Sequence, residues 1–364
     1  MTLLAALLIA CTGTGLPPAH PGDAEETAQV EETEGGDLVL RGALLPGAAA
    51  PVDVLITAGR IVSIGPVGPD AARVEVDLAG RWLAPGFIDS HVHVAYLAQG
   101  EALRAAGVVA AVDLAMPVDA LGGEHGGLAL LASGPMITAV GGYPTRSWGQ
   151  DGYGLEVTGA DEAAAAVASL HGAGAQVIKV PVGGSPALPP DALAAVVDSA
   201  HALDLRVAAH ALDDAGALSA GVAGVDVLAH TPTEPLSSAT LAAWADGAVI
   251  TSLAAFGGGA ATVSNLAALR AAGATVLYGT DFGNTRTAAI QATELRRMQD
   301  VGMDGAAILA AGTSVPAEWW GFEGLGRIDV GQPATFLVLV ADPYEDPLTL
   351  SEPEAVWIDG VRLE

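Results

Sequence analysis

The sequence predicts an α/β fold, a (β/α)8 barrel with short strands at both ends of the chain. Three observations carry that expectation. Eight apolar strand runs alternate with Ala-rich helical runs over residues 82–301. The strand runs are almost continuously apolar, as suits a parallel sheet buried on both faces. Histidine, lysine and aspartate recur near the ends of those runs, and a closed barrel gathers such ends at one mouth.

The elements follow in chain order. Residues 2–10, TLLAALLIA, are apolar and end at Cys11. The run is too short to span a bilayer and reads as the apolar part of a secretory signal. Leu8-Ile9-Ala10-Cys11 resembles a bacterial lipobox, although no Lys or Arg precedes it. The expectation is an exported lipoprotein, anchored through a lipid on Cys11 at the periplasmic face or cell surface. Residues 12–36 carry six acids, no Lys or Arg and hardly a large apolar side chain, so they read as a disordered tether.

From Asp37 the pattern turns to short alternating runs, 38–45, 53–65 and 72–85, expected as antiparallel strands and hairpins. The barrel strands are read at 82–92, 108–116, 135–141, 176–182, 206–212, 225–231, 248–256 and 275–283. Helices are read at 160–172, 190–204, 236–246, 262–272 and 287–301. The strand style returns at 326–342 and 355–364, where Asp359-Gly360 is a hairpin signal. No fixed-period repeat is visible, which argues against a solenoid.

Composition narrows the function. The chain has 364 residues and a formal charge of −28, from 42 acids and 14 bases. That balance argues against nucleic acid and against docking on anionic lipid by charge. A single cysteine excludes an internal disulfide framework. Of the 14 bases, only Lys179 is lysine. One amine among arginines marks a position where a guanidinium does not serve.

His91 and His93 close the first barrel strand. Positions i and i+2 on a strand share a face, so both imidazoles can meet one metal. Lys179 lies in strand 4, His210 in strand 5, His230 in strand 6 and Asp281 at the end of strand 8. A barrel brings these scattered positions together. His20, His125, His171 and His201 fall in linker, loop or helix and read as solvated or packing residues. Asp89 reads as shaping strand 1, and Asp113 as structural.

At these residues the sequence resembles the metal-dependent amidohydrolase superfamily. LAPGFIDSHVHV looks like its first-strand signature, and IKV, AAH, LAH and YGTDFG match successive positions. SGPMITAVGGYP, AHALDLRVAAHA and NLAALRAAGATVLYGTDFG are similar to the imidazolonepropionase-like branch that includes Xaa-Pro dipeptidase-like enzymes. The resemblance runs from about residue 37 to the C-terminus. It implies a composite β-sandwich from residues 37–85 and 326–364 beside a barrel over 86–325. It also implies two divalent metals, usually zinc. His91, His93 and Asp281 would hold the first, and His210 and His230 the second. A carboxylated Lys179 would bridge them, a role open to an amine and closed to a guanidinium. The same ligand set accepts manganese, iron or cobalt.

The implied reaction is hydrolysis of a C–N amide bond by a metal-bridging hydroxide, in a dipeptide, Xaa-Pro or N-acyl amino acid substrate. Asp281 would carry the proton. Tyr143, in the loop 141–154, would donate to the developing oxyanion. Arg146 in that loop, and Arg286 beside Asn284 after strand 8, would receive a substrate carboxylate or else form surface salt bridges. Alternatives are a lactonase or phosphotriesterase on the same centre, a deaminase, or a non-catalytic ligand-binding lipoprotein. A homo-oligomer stays open.

Overall fold

The computed structural model describes residues 36–363. The expected signal run, Cys11, His20 and the expected tether up to residue 35 lie outside the described residues; Gly36, read as the end of that tether, instead begins the first strand. Within them, the chain opens with β1 (Gly36–Ala43), β2 (Val52–Thr57), β3 (Arg60–Gly65) and β4 (Ala72–Asp77). These form one sheet in the order β3-β2-β1-β4. The hairpins β1–β2 and β2–β3 are antiparallel, as expected. The pairing of β1 with β4 is parallel, which corrects the reading of this region as purely antiparallel. The 72–85 run is also two strands, because Leu78 to Arg81 form a turn with Ala79 and Gly80 at positive φ.

The 82–92 run splits as well. β5 (Trp82–Pro85) and β6 (Phe87–Val92) join different sheets on either side of Gly86. A Cβ at Gly86 would stand 2.6 Å from the Val109 methyls, so only glycine lets the chain change sheets there.

Next come β7 (Val108–Asp113), β8 (Ala129–Ala132), β9 (Met136–Ala139), β10 (Gly154–Val157) and β11 (Val177–Pro181). They are followed by β12 (Arg206–His210), β13 (Val227–Leu228), β14 (Ala248–Ile250) and β15 (Thr275–Leu277). Parallel pairing runs β6-β7-β8 and β11-β12-β13-β14-β15, with β9 paired to β10. The third expected strand, 135–141, is present as β9, while β8 beside β7 and β10 beside β9 are strands not foreseen. Gln176 N–H donates to the Ala132 carbonyl at 3.0 Å between β8 and β11. Ser90 N–H donates to Tyr278 O at 2.9 Å, and His93 N–H to Phe282 O, joining the first strand of this run to the segment after the last.

Both faces of these strands are buried, in two apolar clusters. Ile88, Val112, Val177, Val227, Ile250 and Leu277 pack in one. Ile178, Val207, Leu228 and Val249 pack with the helical Leu170, Val196, Leu266 and Leu295 in the other. The helices are α1 (Gly100–Ala105), α2 (Ala160–Gly172), α3 (Pro190–His201), α4 (Asp214–Val222), α5 (Ser238–Ala243), α6 (Ala260–Ala272), α7 (Ala292–Asp300), α8 (Gly305–Gly312) and α9 (Ser314–Trp320). Helix α3 stops short of the expected residue 204, where Asp204 turns to φ +56. Helix α5 starts where Ser237 accepts the Thr240 N–H. None of the described helices is long and apolar enough to cross a membrane.

The C-terminal strands β16 (Phe336–Leu339), β17 (Ala355–Ile358) and β18 (Val361–Arg362) pair antiparallel, with β5 at the far edge. Asp359 and Gly360 both take positive φ between β17 and β18, as a two-residue hairpin requires. Leu40, Val54 and Ile56 from the first terminal sheet pack with Leu83, Phe336 and Trp357 from the second.

One buried side chain ties helices α4 and α5. Trp244 is fully buried, and its Nε1–H donates to the Ala217 carbonyl at 2.8 Å. Cβ atoms at Gly221 and Gly247 would come within 3 Å of its ring, so both glycines serve close approach. Trp244→Ala is expected to cost about 3–5 kcal/mol through the cavity it leaves. Urea unfolding should show a lower midpoint with an unchanged slope.

Candidate metal centre

The expected strands near 225–231, 248–256 and 275–283 end early. β13 stops at Leu228, β14 at Ile250 and β15 at Leu277. Beyond them the backbone leaves the extended region, with Ser252 at φ +40 and Asp281 at φ +53. His230 and Asp281 therefore stand on loops directly past the strand ends, while Lys179 and His210 remain within β11 and β12.

The structure brings the six expected residues into one cluster. His91 Nε2 lies 3.3 Å from His93 Nε2, and Asp281 Oδ1 lies 3.1 Å from His93 Nε2 and 3.6 Å from His91 Nε2. These three are buried and spaced to hold one metal ion. The His91 and His230 rings are 4.5 Å apart, and the His230 and His210 rings 4.9 Å. Lys179 is fully buried, close enough that a positive charge on it would disfavour charging of His91, His210 and His230.

The donor set fits divalent ions. His91 Nδ1 faces the Ala229 carbonyl at 2.8 Å, which makes Nδ1 the protonated nitrogen and leaves the Nε2 lone pair bare. That lone pair points at another imidazole nitrogen and a carboxylate oxygen. Lys179 Nζ, His93 Nδ1 and His230 Nδ1 are buried without a hydrogen-bond partner. Each such orphan costs about 1–3 kcal/mol, and a cation coordinated by the cluster offsets that cost.

Electrostatics agree with neutral ligands. Burial holds His91 and His230 well below the usual imidazole range, and brings His210 down to about 3. Burial also lowers Lys179 to about 7, against the opposing pull of Asp281 and Asp113. His93 differs: burial lowers it, but the Asp113 and Asp281 carboxylates outweigh burial and raise it. Asp113 Oδ1 stands 3.8 Å from His93 Nδ1 and accepts the Ala115 N–H.

Asp89 is a strut beneath the cluster. Its carboxylate accepts the His91 N–H, the Thr280 N–H and the Thr280 Oγ1–H. It thereby fixes the first histidine relative to the loop that carries Asp281.

The remaining expected residues divide. The Tyr143 ring stacks on His210 at 4.6 Å, and burial raises its phenol to about 12. Arg286 is exposed, with its guanidinium 5.8 Å from the Tyr96 ring centre. Arg146 is exposed and packs against Gly141. Neither arginine forms an ion pair among the described residues. Asn284 donates to Asp281 Oδ1 at 3.0 Å. His125 contacts the Ala120 carbonyl, His201 pairs with Asp226, and His171 is exposed in the last turn of α2. Three aromatic neighbours escaped the sequence reading as site residues. Trp148 sits 5.1 Å from the His93 ring, Phe256 sits 4.8 Å from His230, and Tyr96 packs on Trp148. Trp148 was signalled only by the aromatic character of its loop.

Asp89→Ala removes three buried hydrogen bonds, and is expected to cost about 3 kcal/mol of stability. It should also weaken divalent-metal affinity about 10–100-fold, as loss of a supporting contact does. Unfolding curves and metal titration of the same preparation measure the two effects.

Known proteins share this architecture. The chain matches the amidohydrolase family profile over residues 82–363. An uncharacterized protein of Mycobacterium tuberculosis is 27% identical over 368 residues, covering 89% of this chain and 95% of that one. The crystal structure of a Xaa-Pro dipeptidase with methionine bound in its active site is 21% identical, with a TM-score of 0.77. That likeness, one of fold, covers 90% of this chain and 99% of the other. An adenine deaminase of Deinococcus radiodurans is 44% identical over 68 residues, which is 17% of this chain and 12% of the deaminase.

Proposed function

The chain belongs to the amidohydrolase family, and from that premise we propose that it hydrolyses a C–N amide bond in a dipeptide, Xaa-Pro or N-acyl amino acid. The observation that carries this reading is Lys179. It is the only lysine in the chain, and it is buried with its amine unpartnered beside the His and Asp cluster. A structural lysine in such a place would be expected to have a salt-bridge partner.

In this reading His91, His93 and Asp281 would hold one divalent ion, zinc by preference, and His210 and His230 would hold a second. A neutral Lys179 amine could add to carbon dioxide with loss of a proton, and the resulting carbamate would offer anionic oxygens as further ligands. The lowering of its pKa by burial supports the neutral amine that this addition needs. When bound, the two ions supply Lewis acidity to the attacking water and the scissile carbonyl. Asp281 accepts the proton of that water and passes it to the leaving nitrogen. Tyr143 donates its phenolic proton to the carbonyl oxygen as negative charge develops. Arg286, above the aromatic cluster, receives the substrate carboxylate. Arg146 has a weaker claim because it packs on Gly141.

The proposed frame is a (β/α)8 barrel over residues 86–325, with a composite β-sandwich from 37–85 and 326–364. The hydrogen bonds that join Ser90 and His93 to the segment after β15 support closure of the strand run. The shared cluster of the terminal sheets supports the sandwich. Export and lipidation at Cys11 belong to the same proposal and rest on the lipobox-like run. Cys11→Ser should abolish metabolic labelling by a radioactive fatty acid; equal labelling of both proteins would contradict lipidation.

A panel of dipeptides, N-acyl amino acids, lactones, phosphotriesters and aminopurines tests the reaction on zinc-loaded protein. Amide turnover is expected to exceed the rest. Preference for lactones or phosphotriesters would move the assignment to them, and ammonia release from aminopurines would make it a deaminase. Lys179→Arg places a guanidinium there, which stays protonated and cannot form the carbamate. It should lower kcat/KM by at least about 100-fold and leave fewer than two metals per chain. Two metals and full activity in that variant would refute the bridge.

A further inference from the structure

We propose that Trp148 is a positioning residue for Tyr143: its indole N–H holds the phenol oxygen so that the phenolic proton points at the substrate. The inference rests on the amide-hydrolysis reading, within which Tyr143 meets the carbonyl oxygen.

Trp148 Nε1 lies 2.8 Å from Tyr143 Oη. An indole nitrogen donates and does not accept. The direction of this bond is therefore fixed, and the phenol oxygen is the acceptor. Among the described residues Tyr143 Oη has no acceptor for its own proton. A phenol that accepts one bond and donates none keeps its O–H free. The proton is thus directed away from Trp148, on a ring that lies flat against His210 with 23° between the planes. A mobile phenol would spread its proton over many directions; one locked at its oxygen and stacked on its face does not.

The indole is itself well held. Its ring packs 5.1 Å from His93, 5.6 Å from Tyr96 and 5.5 Å from Tyr153. The turn that carries it is tight: Ser147 and Gly149 N–H both donate to the Pro144 carbonyl. A Cβ at Gly149 would stand 2.5 Å from the Pro144 ring, so the glycine allows the turn to close. Upstream, Gly141 N–H donates to Glu156 Oε1 at 2.8 Å. The chain of contacts His93–Trp148–Tyr143–His210 spans the two proposed ligand groups.

Trp148→Phe keeps a ring and removes the N–H. With the best amide substrate of the wild type, kcat is expected to fall roughly tenfold, the scale of one lost neutral hydrogen bond. KM should change less than about twofold, since the contact strengthens only as the oxyanion forms. Tyr143→Phe should lose at least as much. The double variant should be no worse than Tyr143→Phe alone, because the indole acts through the phenol. A structural readout accompanies the kinetics. In 15N-labelled protein the indole resonance missing from Trp148→Phe identifies Trp148. In Tyr143→Phe that resonance should shift and exchange faster with solvent. Wild-type kcat in Trp148→Phe would overturn the proposal. So would losses that multiply in the double variant, or an indole resonance unmoved by Tyr143→Phe. Wild-type protein inactive on every amide would instead remove the reading beneath it, and the proposal with it.

Discussion

The structure depends on one constraint: several ionisable side chains are buried together at the ends of parallel strands. Burial drives His91, His210 and His230 towards their neutral forms and brings Lys179 down to about 7. Such a group of lone pairs, with one carboxylate at its centre, is unstable as an ordinary core. It becomes favourable when cations share the lone pairs. The surrounding fold keeps that arrangement from relaxing. Asp89 ties the first histidine to the last loop, Ala229 fixes a histidine tautomer, and Asn284 holds the aspartate.

Two residues just past the strand ends carry unusual backbone. A ladder residue has its backbone committed on both sides, and its side chain can point only to one face or the other. Ser252 and Asp281 lie past the strand ends and take positive φ, which turns their side chains out of the strand alternation. Backbone strain at such positions persists only where the neighbourhood over-determines it. The bonds from Thr285 N–H and Asn284 N–H to the Asp281 carbonyl, with the Asn284 side chain on its carboxylate, supply that neighbourhood.

Much of the site was legible in the sequence. The His91–His93 spacing, the single lysine and the apolar runs ending in His or Asp pointed to residues that the structure does bring together. Asp359-Gly360 was legible as a hairpin because its backbone demands are local. Features set by partners distant in sequence were not. The parallel β1–β4 pairing, the sheet change at Gly86 and the insertion of β10 depend on what packs opposite them, such as Val109 against Gly86. Helix α8, GAAILAAG, is apolar nearly all round and lacks the 3.6-residue stripe that betrays an amphipathic helix. Trp148 was hidden for another reason: its role is a single hydrogen bond whose partner only the loop's turn brings within reach.

The central claim is that Lys179 joins two metal ions as a carbamate. Anomalous scattering at the zinc edge from crystals of the zinc-loaded protein tests it most directly. The account predicts two metal peaks per chain, one beside His91, His93 and Asp281 and one beside His210 and His230. Continuous density should link Lys179 Nζ to both through a planar three-atom group. A single peak with an unmodified lysine amine would contradict it.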